Sequence, residues 1–383
     1  MNRIKAYTVI IFCLMGYAAR SQDTATRWWN PAADPVRTIE GQAWPEENGQ
    51  PYSRLPARAQ KGVSAEVWNL SQQSAGLMIR FKTTAERIII RYQITGAQAM
   101  PHMPATGASG IDLYAVDATG TLLWCAGKYA FKDTVQYTFS DLKPERAGAT
   151  GTEYRLYLPL YNTVRWLEVG VPSSDSLVPL PVRKKQPIVV YGTSIAQGAC
   201  ASRPGMAWTA ILSRRLDMPL INLGFSGTGR LDPAVTKLIT ELPARVFVLD
   251  CLPNLTGGKP PFTETEIYNR LIAAVKQLRT EHAQTPIILT DHFGYTDAPI
   301  NPIKRALYKT MNKINHQAYS DLVKQGVRSL YLLPIEQLQQ DGDTMVDGTH
   351  PSDLGMMRYA AAYEALIRKI LKRTLPTATH PAS

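Results

Sequence analysis

The sequence predicts an antiparallel β-sandwich followed by an α/β domain built on a doubly wound parallel sheet of about five strands. Three observations carry that prediction. Residues 64–170 fall into short runs rich in β-branched and aromatic residues, separated by Gly, Pro, Ser or Asp, which is the pattern of an antiparallel sheet. Beyond residues 181–187, short apolar runs alternate with helical periods, the pattern of parallel strands buried on both faces. Finally, 383 residues that are 45% apolar and 19% charged suffice for two cores and exclude a disordered chain.

Taken in order, the chain opens on a cationic start, Asn2-Arg3-Ile4-Lys5, then an apolar run over 6–17, then Ala19-Arg20-Ser21 with small residues flanking a cut. This predicts a secretory signal peptide over 1–21, cleaved near Ser21/Gln22, and an exported protein, secreted or periplasmic. Bulky Phe12 argues against a lipid anchor on Cys13. No later stretch is apolar enough to span a bilayer, so no membrane span is expected. The leader carries three basic residues and no acid, so its loss lowers the formal charge from +11 to +8. The remaining basic residues are dispersed. Arg183-Lys184-Lys185 is the densest run and reads as a linker. No basic stripe is interleaved with aromatics, so nucleic acid is not an expected partner.

Residues 22–180 are expected to form the sandwich, with strands at 63–68, 76–81, 87–92, 111–116, 134–139 and 164–169 and with residues 22–62 wrapped around it. Residues 181–373 form the α/β domain. Its strands are expected at 188–191, 220–223, 246–249, 287–290 and 330–333, and its helices at 206–216, 232–241, 264–282, 303–325 and 353–372. Residues 374–383 read as a loose tail.

In such a sheet, ligands sit beyond the carboxyl ends of the strands, and polar residues gather there. Ser194 follows the first strand directly, behind Gly192-Thr193, where a nucleophile can be held at the rim; the alternative is a helix cap. Gly227 follows the second strand and offers an unobstructed N–H, while Asn254 follows the third and offers an amide. Such donors are what an oxyanion hole needs, although singly each reads as a turn residue. Asp347-Gly348-Thr349-His350 precedes the last helix, and an Asp three residues ahead of a His can hold its Nδ1 and leave Nε2 as a base. The other His residues (His102, His282, His292, His316, His380) lack metal-ligand spacing, so neither a metal nor another cofactor is expected.

Together, in this order, these residues resemble the SGNH (GDSL-type) hydrolase family, over roughly residues 186–372. The resemblance implies a flavodoxin-like sheet, Ser194 as nucleophile, His350 as base and Asp347 as its orienting carboxylate. It also implies an oxyanion hole from the N–H groups of Ser194 and Gly227 and the amide of Asn254. Two blocks depart from the family pattern: Thr193 replaces the acid of Gly-Asp-Ser, and Pro253-Asn254-Leu255 replaces Gly-x-Asn-Asp. Neither departure removes a catalytic atom. Gly110-Ile111-Asp112-Leu113-Tyr114 looks like the Gly-x-Asp-Leu-Tyr signature of a sandwich domain that precedes such hydrolases in exported bacterial proteins.

The implied activity is a serine esterase acting on short-chain, chiefly acetyl, esters of a glycan. A lysophospholipase or thioesterase is the alternative within enzymes, and an inactive glycan-binding protein is the alternative of another class. His102, in the loop-like segment 100–107, is a candidate to reach over the cleft. Arg203 and Arg230, which follow the first two blocks, are candidates to meet an acidic sugar. Cys125, Cys200 and Cys251 remain in the mature chain; the last two flank catalytic blocks, and a disulfide between them is weighed against buried free thiols.

Overall fold

A computed structural model of the protein describes residues 25–144, 151–257 and 261–374. The leader expected over 1–21 lies outside them, as does all but the first residue of the expected tail. Among the described residues, no helix is long and apolar enough to cross a membrane.

The first half supplies β1 (Thr26–Trp29), β2 (Ile39–Glu40), β3 (Met78–Thr83), β4 (Ile88–Ile94), β5 (Asp112–Val116), β6 (Leu122–Cys125), β7 (Lys128–Ala130), β8 (Val135–Phe139), β9 (Thr152–Tyr157), β10 (Val164–Pro172) and β11 (Leu177–Pro179). They form two antiparallel sheets, ordered β1-β10-β4-β8-β7 and β11-β3-β9-β5-β6, with β2 added beside β3. Alternation along the strands sends Ile88, Ile90 and Tyr92 of β4 and Leu167 and Val169 of β10 into one core with Ile79, Phe81 and Leu156 of the facing sheet.

Residues 63–68, expected as a strand, are not one. Ser64 Oγ accepts from the Val67 N–H (3.3 Å) and caps a helix, α1 (Ala65–Ser71). A cap of this kind offsets the apolar alternation that suggests a strand. Within residues 22–62, β1 and β2 join the sandwich sheets and Ile39 and Tyr52 join its core, whereas Trp44, Leu55 and Ala59, with Val67 of α1, join the core of the second half.

The second half carries β12 (Ile188–Gly192), β13 (Leu220–Gly224), β14 (Val246–Asp250), β15 (Ile287–Thr290) and β16 (Leu330–Leu333), all parallel in the order β13-β12-β14-β15-β16. A short α2 (Ala105–Ala108) precedes them within the sandwich half. Between and after the parallel strands run α3 (Ser194–Gln197), α4 (Trp208–Leu216), α5 (Pro233–Ile239), α6 (Leu252–Leu255), α7 (Glu264–Glu281), α8 (Pro302–Lys324), α9 (Ile335–Leu338) and α10 (Asp353–Thr374). Along β12, Val189 and Tyr191 face a core closed by α5, α7 and α8, while Ile188 and Val190 face one closed by α4 and α10. In the second core, Trp208 stacks on Tyr363 with ring centroids 4.4 Å apart. Both faces are covered, which is why these strands are apolar throughout.

The halves are clasped together. Met78, Met103, Tyr114 and Tyr157 of the sandwich enter the second core of the α/β half. The basic run expected as a bare linker is held by ion pairs, Arg183 to Glu40 and Asp217, and Lys185 to Asp217. A third contact uses the Gly-x-Asp-Leu-Tyr residues. Asp112 Oδ2 accepts from Arg203 Nη1 (2.6 Å) and from the Gly205 N–H (2.8 Å), and Tyr114 Oη accepts from Arg203 Nη1 (2.8 Å). Trp124 Nε1 donates to the other Asp112 oxygen (2.8 Å). Burial pushes the Asp112 carboxyl upward, against Arg203, Trp124 and Gly205, which favour its charged form. We predict that Asp112→Ala costs about 2–3 kcal/mol, at or just below the low end of the range of ~3–5 kcal/mol for breaking a fully buried pair, because the Arg203 side chain stays 24% exposed. A shift of the urea midpoint that corresponds to less than ~0.5 kcal/mol would refute this role.

Candidate active site

The carboxyl ends of β12, β13 and β14, with the chain between β16 and α10, supply the site. Thr193 leaves β12 extended (φ −99°, ψ −161°), and its Oγ1 accepts from the Ile195 N–H (3.3 Å). Ser194 therefore becomes the first residue of α3, with a backbone N–H that has no acceptor inside the helix. A threonine performs this turn with no need of the acid found in the family pattern.

The partner loop is folded on itself. Met345 pairs with Pro351, Val346 N–H donates to the His350 carbonyl (2.9 Å), and Gly348 takes φ +84°. Asp347 Oδ1 accepts from the backbone N–H groups of Thr349 (3.0 Å) and His350 (2.8 Å), and Asp347 Oδ2 lies 2.7 Å from His350 Nδ1. Burial alone would raise the Asp347 carboxyl, but the His350 ring, its backbone N–H and that of Thr349 hold it below its ordinary value. The carboxylate thus keeps the proton on Nδ1. His350 Nε2 faces Ser194 Oγ at 2.8 Å as an acceptor. Ser194, His350 and Asp347 lie within direct hydrogen-bonding reach in that order.

The donors come from the next two strand ends. Gly227 takes φ +71° in the turn after β13, with open space where a side chain would stand. One orientation of the Asn254 amide satisfies its surroundings: Oδ1 accepts from the N–H groups of Gly227 (3.2 Å), Thr228 (3.1 Å) and Gly229 (3.1 Å), leaving Nδ2 as the donor. The turn is also anchored from beneath. Gln197 Oε1 accepts from the Ser226 N–H (3.0 Å), and Gln197 Nε2 donates to Gln73 Oε1 (2.6 Å) and the Leu160 carbonyl (3.1 Å). Asn222 ties β13 to α3 through the Ala196 carbonyl (2.7 Å).

Below this network lies Arg54, 1% exposed. Its guanidinium donates to the carbonyls of Gln73 (2.8 Å), Asn222 (3.1 Å), Gly224 (2.7 Å) and Leu70 (2.7 Å). Burial pulls its pKa down to about 9, still above neutrality. Sequence reasoning missed Arg54 and Gln197. Their partners are backbone carbonyls and residues far away in the chain, which no local pattern reveals.

His102 does reach the site. Its ring stacks on that of His350 with centroids 5.6 Å apart and 21° between planes, and its carbonyl accepts from Cys200 Sγ (3.3 Å). His102, Cys200, Asp347 and His350 bring possible metal-ligand atoms within 4.8 Å of one another. Asp347 and His350 are engaged with each other, however. Burial, reinforced by Asp347, pushes the Cys200 thiol up to about 12, so at neutral pH it stands as a protonated hydrogen-bond donor to the His102 carbonyl.

Arg203 is placed otherwise than expected. The charge of Arg203 is spent on Asp112, with its guanidinium over the Trp124 ring at 4.5 Å. The Arg230 carbonyl accepts from Arg270 (3.2 Å), and the Arg230 side chain forms no ion pair among the described residues, with Nε buried and without a partner. Nor are Cys200 and Cys251 bonded, since both are buried free thiols. Cys251 packs in the core on one face of the sheet, while Ala199 and Ala201, which flank Cys200, are buried, Ala201 in the core on the other face.

A doubly wound sheet with a Ser–His–Asp chain at its carboxyl edge defines a hydrolase of the esterase type. Residues 185–368 match the GDSL-like lipase/acylhydrolase family, and residues 26–177 match the N-terminus of esterases of the SGNH-hydrolase type. A GDSL-like lipase from Bacteroides ovatus is 32% identical over 91% of this chain and 98% of its own, with a TM-score of 0.81. The chain belongs to the GDSL-type SGNH hydrolases. The fold is shared with a salicylyl-acyltransferase from a tetracycline biosynthetic pathway (20% identity, 92% and 98% covered, TM-score 0.73). It is shared too with an acetyl xylan esterase from Butyrivibrio proteoclasticus (11% identity, 90% and 99% covered, TM-score 0.53). None of the curated proteins compared matches the chain.

Proposed function

We propose that this hydrolase is an exported serine esterase that removes short acyl groups, chiefly acetyl, from a glycan. The observation that carries the reading is the unbroken chain from Ser194 Oγ to His350 Nε2 (2.8 Å) and from His350 Nδ1 to Asp347 Oδ2 (2.7 Å). His350 takes the Ser194 proton as Oγ attacks the ester carbonyl, and Asp347 steadies the imidazolium that forms. The oxyanion is met by the Ser194 N–H and Asn254 Nδ2. The Gly227 N–H, bonded to Asn254 in the free enzyme, lies at the same turn. His350 then protonates the leaving alcohol, and water repeats the cycle on the acyl-enzyme.

Crowding favours a small acyl group, because His102 and Cys200 close in on His350. Kinship in fold with an acetyl xylan esterase supports a glycan alcohol. The test is acetate release from a panel of acetylated polysaccharides. Release from none of them would overturn the glycan reading. On p-nitrophenyl esters we expect acetyl to exceed octanoyl by ~10-fold or more in kcat/KM; the reverse order would indicate an enzyme for long acyl chains. Asn254→Ala should lower kcat on p-nitrophenyl acetate by ~10²–10³ with a much smaller change in KM. A kcat within ~2-fold of wild type would remove Asn254 from the oxyanion hole.

A further inference from the structure

Beside the catalytic loop lies a second concavity of about 780 Å³, large enough for an oligosaccharide segment. One wall is a single stripe of α8 carrying Arg305, Tyr308, Lys309, Lys313 and His316; Tyr295 stands across from it. The floor is shared with the catalytic loop. Met345 lines the cavity and pairs with Pro351, and the Thr296 N–H donates to the Gly348 carbonyl (3.3 Å).

The charges in this cavity are unequal. Lys309 and Lys313 are exposed, and among the described residues neither has a carboxylate within ion-pair distance. Arg305 donates to the carbonyls of Ala298 (3.2 Å) and Pro299 (2.9 Å) and, among the described residues, pairs with no carboxylate. On the acidic side, Asp291 is fully buried and already accepts from His316 Nε2 (2.8 Å), Asn315 Nδ2 (2.9 Å) and the Ile335 N–H (3.2 Å). Asp341 pairs with Arg358. Glu336 also lines the cavity, and among the described residues it has no ion-pair partner. Because Asp291 takes its proton bond from Nε2, the exposed His316 ring keeps Nδ1 as an acceptor for a hydroxyl. Tyr295 and Tyr308 supply flat apolar faces next to these polar groups.

We infer that this cavity binds the acidic part of the substrate, a carboxylate-bearing glycan chain whose esterified sugar lies at Ser194. Lys309, Lys313 and Arg305 meet the carboxylates, and the tyrosines meet the sugar faces. The inference rests on the glycan reading above and deepens it.

The experiment uses the full chain carrying Ser194→Ala, so that no turnover intervenes, and calorimetric titration with hexagalacturonate beside neutral xylohexaose. The acidic oligomer should bind more tightly, with affinity falling as salt rises. Lys309→Glu with Lys313→Glu should weaken it ~10-fold or more, and the milder Lys309→Gln with Lys313→Gln should also weaken it, with circular dichroism reporting that each variant is folded. On an acetylated polyuronate, the Ser194-intact double variants should raise KM while kcat stays within ~2-fold. Equal affinity for the neutral oligomer, affinity untouched by either double variant, or an unchanged KM would overturn the assignment. Failure of acetate release from every glycan would instead overturn the glycan reading of the catalytic site, while the titration still decides whether the cavity takes an acidic chain.

Discussion

Ser194→Ala is expected to abolish ester hydrolysis, lowering kcat by roughly 10⁴–10⁶. The size follows from what the hydroxyl does. It is the atom that His350 Nε2 approaches at 2.8 Å, and no neighbouring group replaces it. Cys200, though close, is a buried thiol pushed up to about 12 and carries almost no thiolate at neutral pH. The substitution removes one small polar group at the start of α3, so the melting temperature should move little. Full p-nitrophenyl acetate turnover by the purified variant would refute the assignment. Loss of turnover with a collapsed melting curve would instead mean that Ser194 is structural.

Arg54→Met is expected to produce the largest loss of stability, about 3–5 kcal/mol by chemical denaturation. The methionine fills part of the volume but donates nothing, so the carbonyls of Gln73, Asn222 and Gly224 lose the guanidinium, the last two in buried surroundings, and that of Leu70 is left with the Gln73 N–H (3.1 Å). Arg54→Lys should rescue little, since one ammonium cannot reproduce a planar fork that reaches three directions. Two of the four carbonyls belong to the end of β13, immediately before the turn that holds Gly227, so kcat should fall as well. A variant within ~1 kcal/mol of wild type would show that water or a shifted chain satisfies these groups.

Much of this molecule is legible in its sequence because the informative patterns are local. The strands of the α/β half are apolar throughout, and Asp347 and His350 lie three residues apart on a tight turn. Ser194 follows its strand without an intervening loop. What could not be read depends on partners distant in the chain. Arg203 reads as an available charge because nothing near it shows that Asp112 has claimed it. The cations that do stand open, Lys309 and Lys313, sit in an ordinary amphipathic helix and attract no notice. Residues 63–68 alternate like a strand, and only the Ser64 cap reveals the helix. Arg54 is the extreme case, since its partners are main-chain atoms that any sequence supplies.

That arginine also sets an order of events during synthesis. Its bonds to the carbonyls of Asn222 and Gly224 close loops of 168 and 170 residues. At ~5–20 residues per second, the ribosome needs roughly 8–35 s to deliver β13 after Arg54 has emerged. Throughout that interval, the segment around Trp44, Leu55 and Val67 has no core to enter. The sandwich can form its own sheets meanwhile, but the catalytic turn waits for Arg54 and the end of β13 to meet.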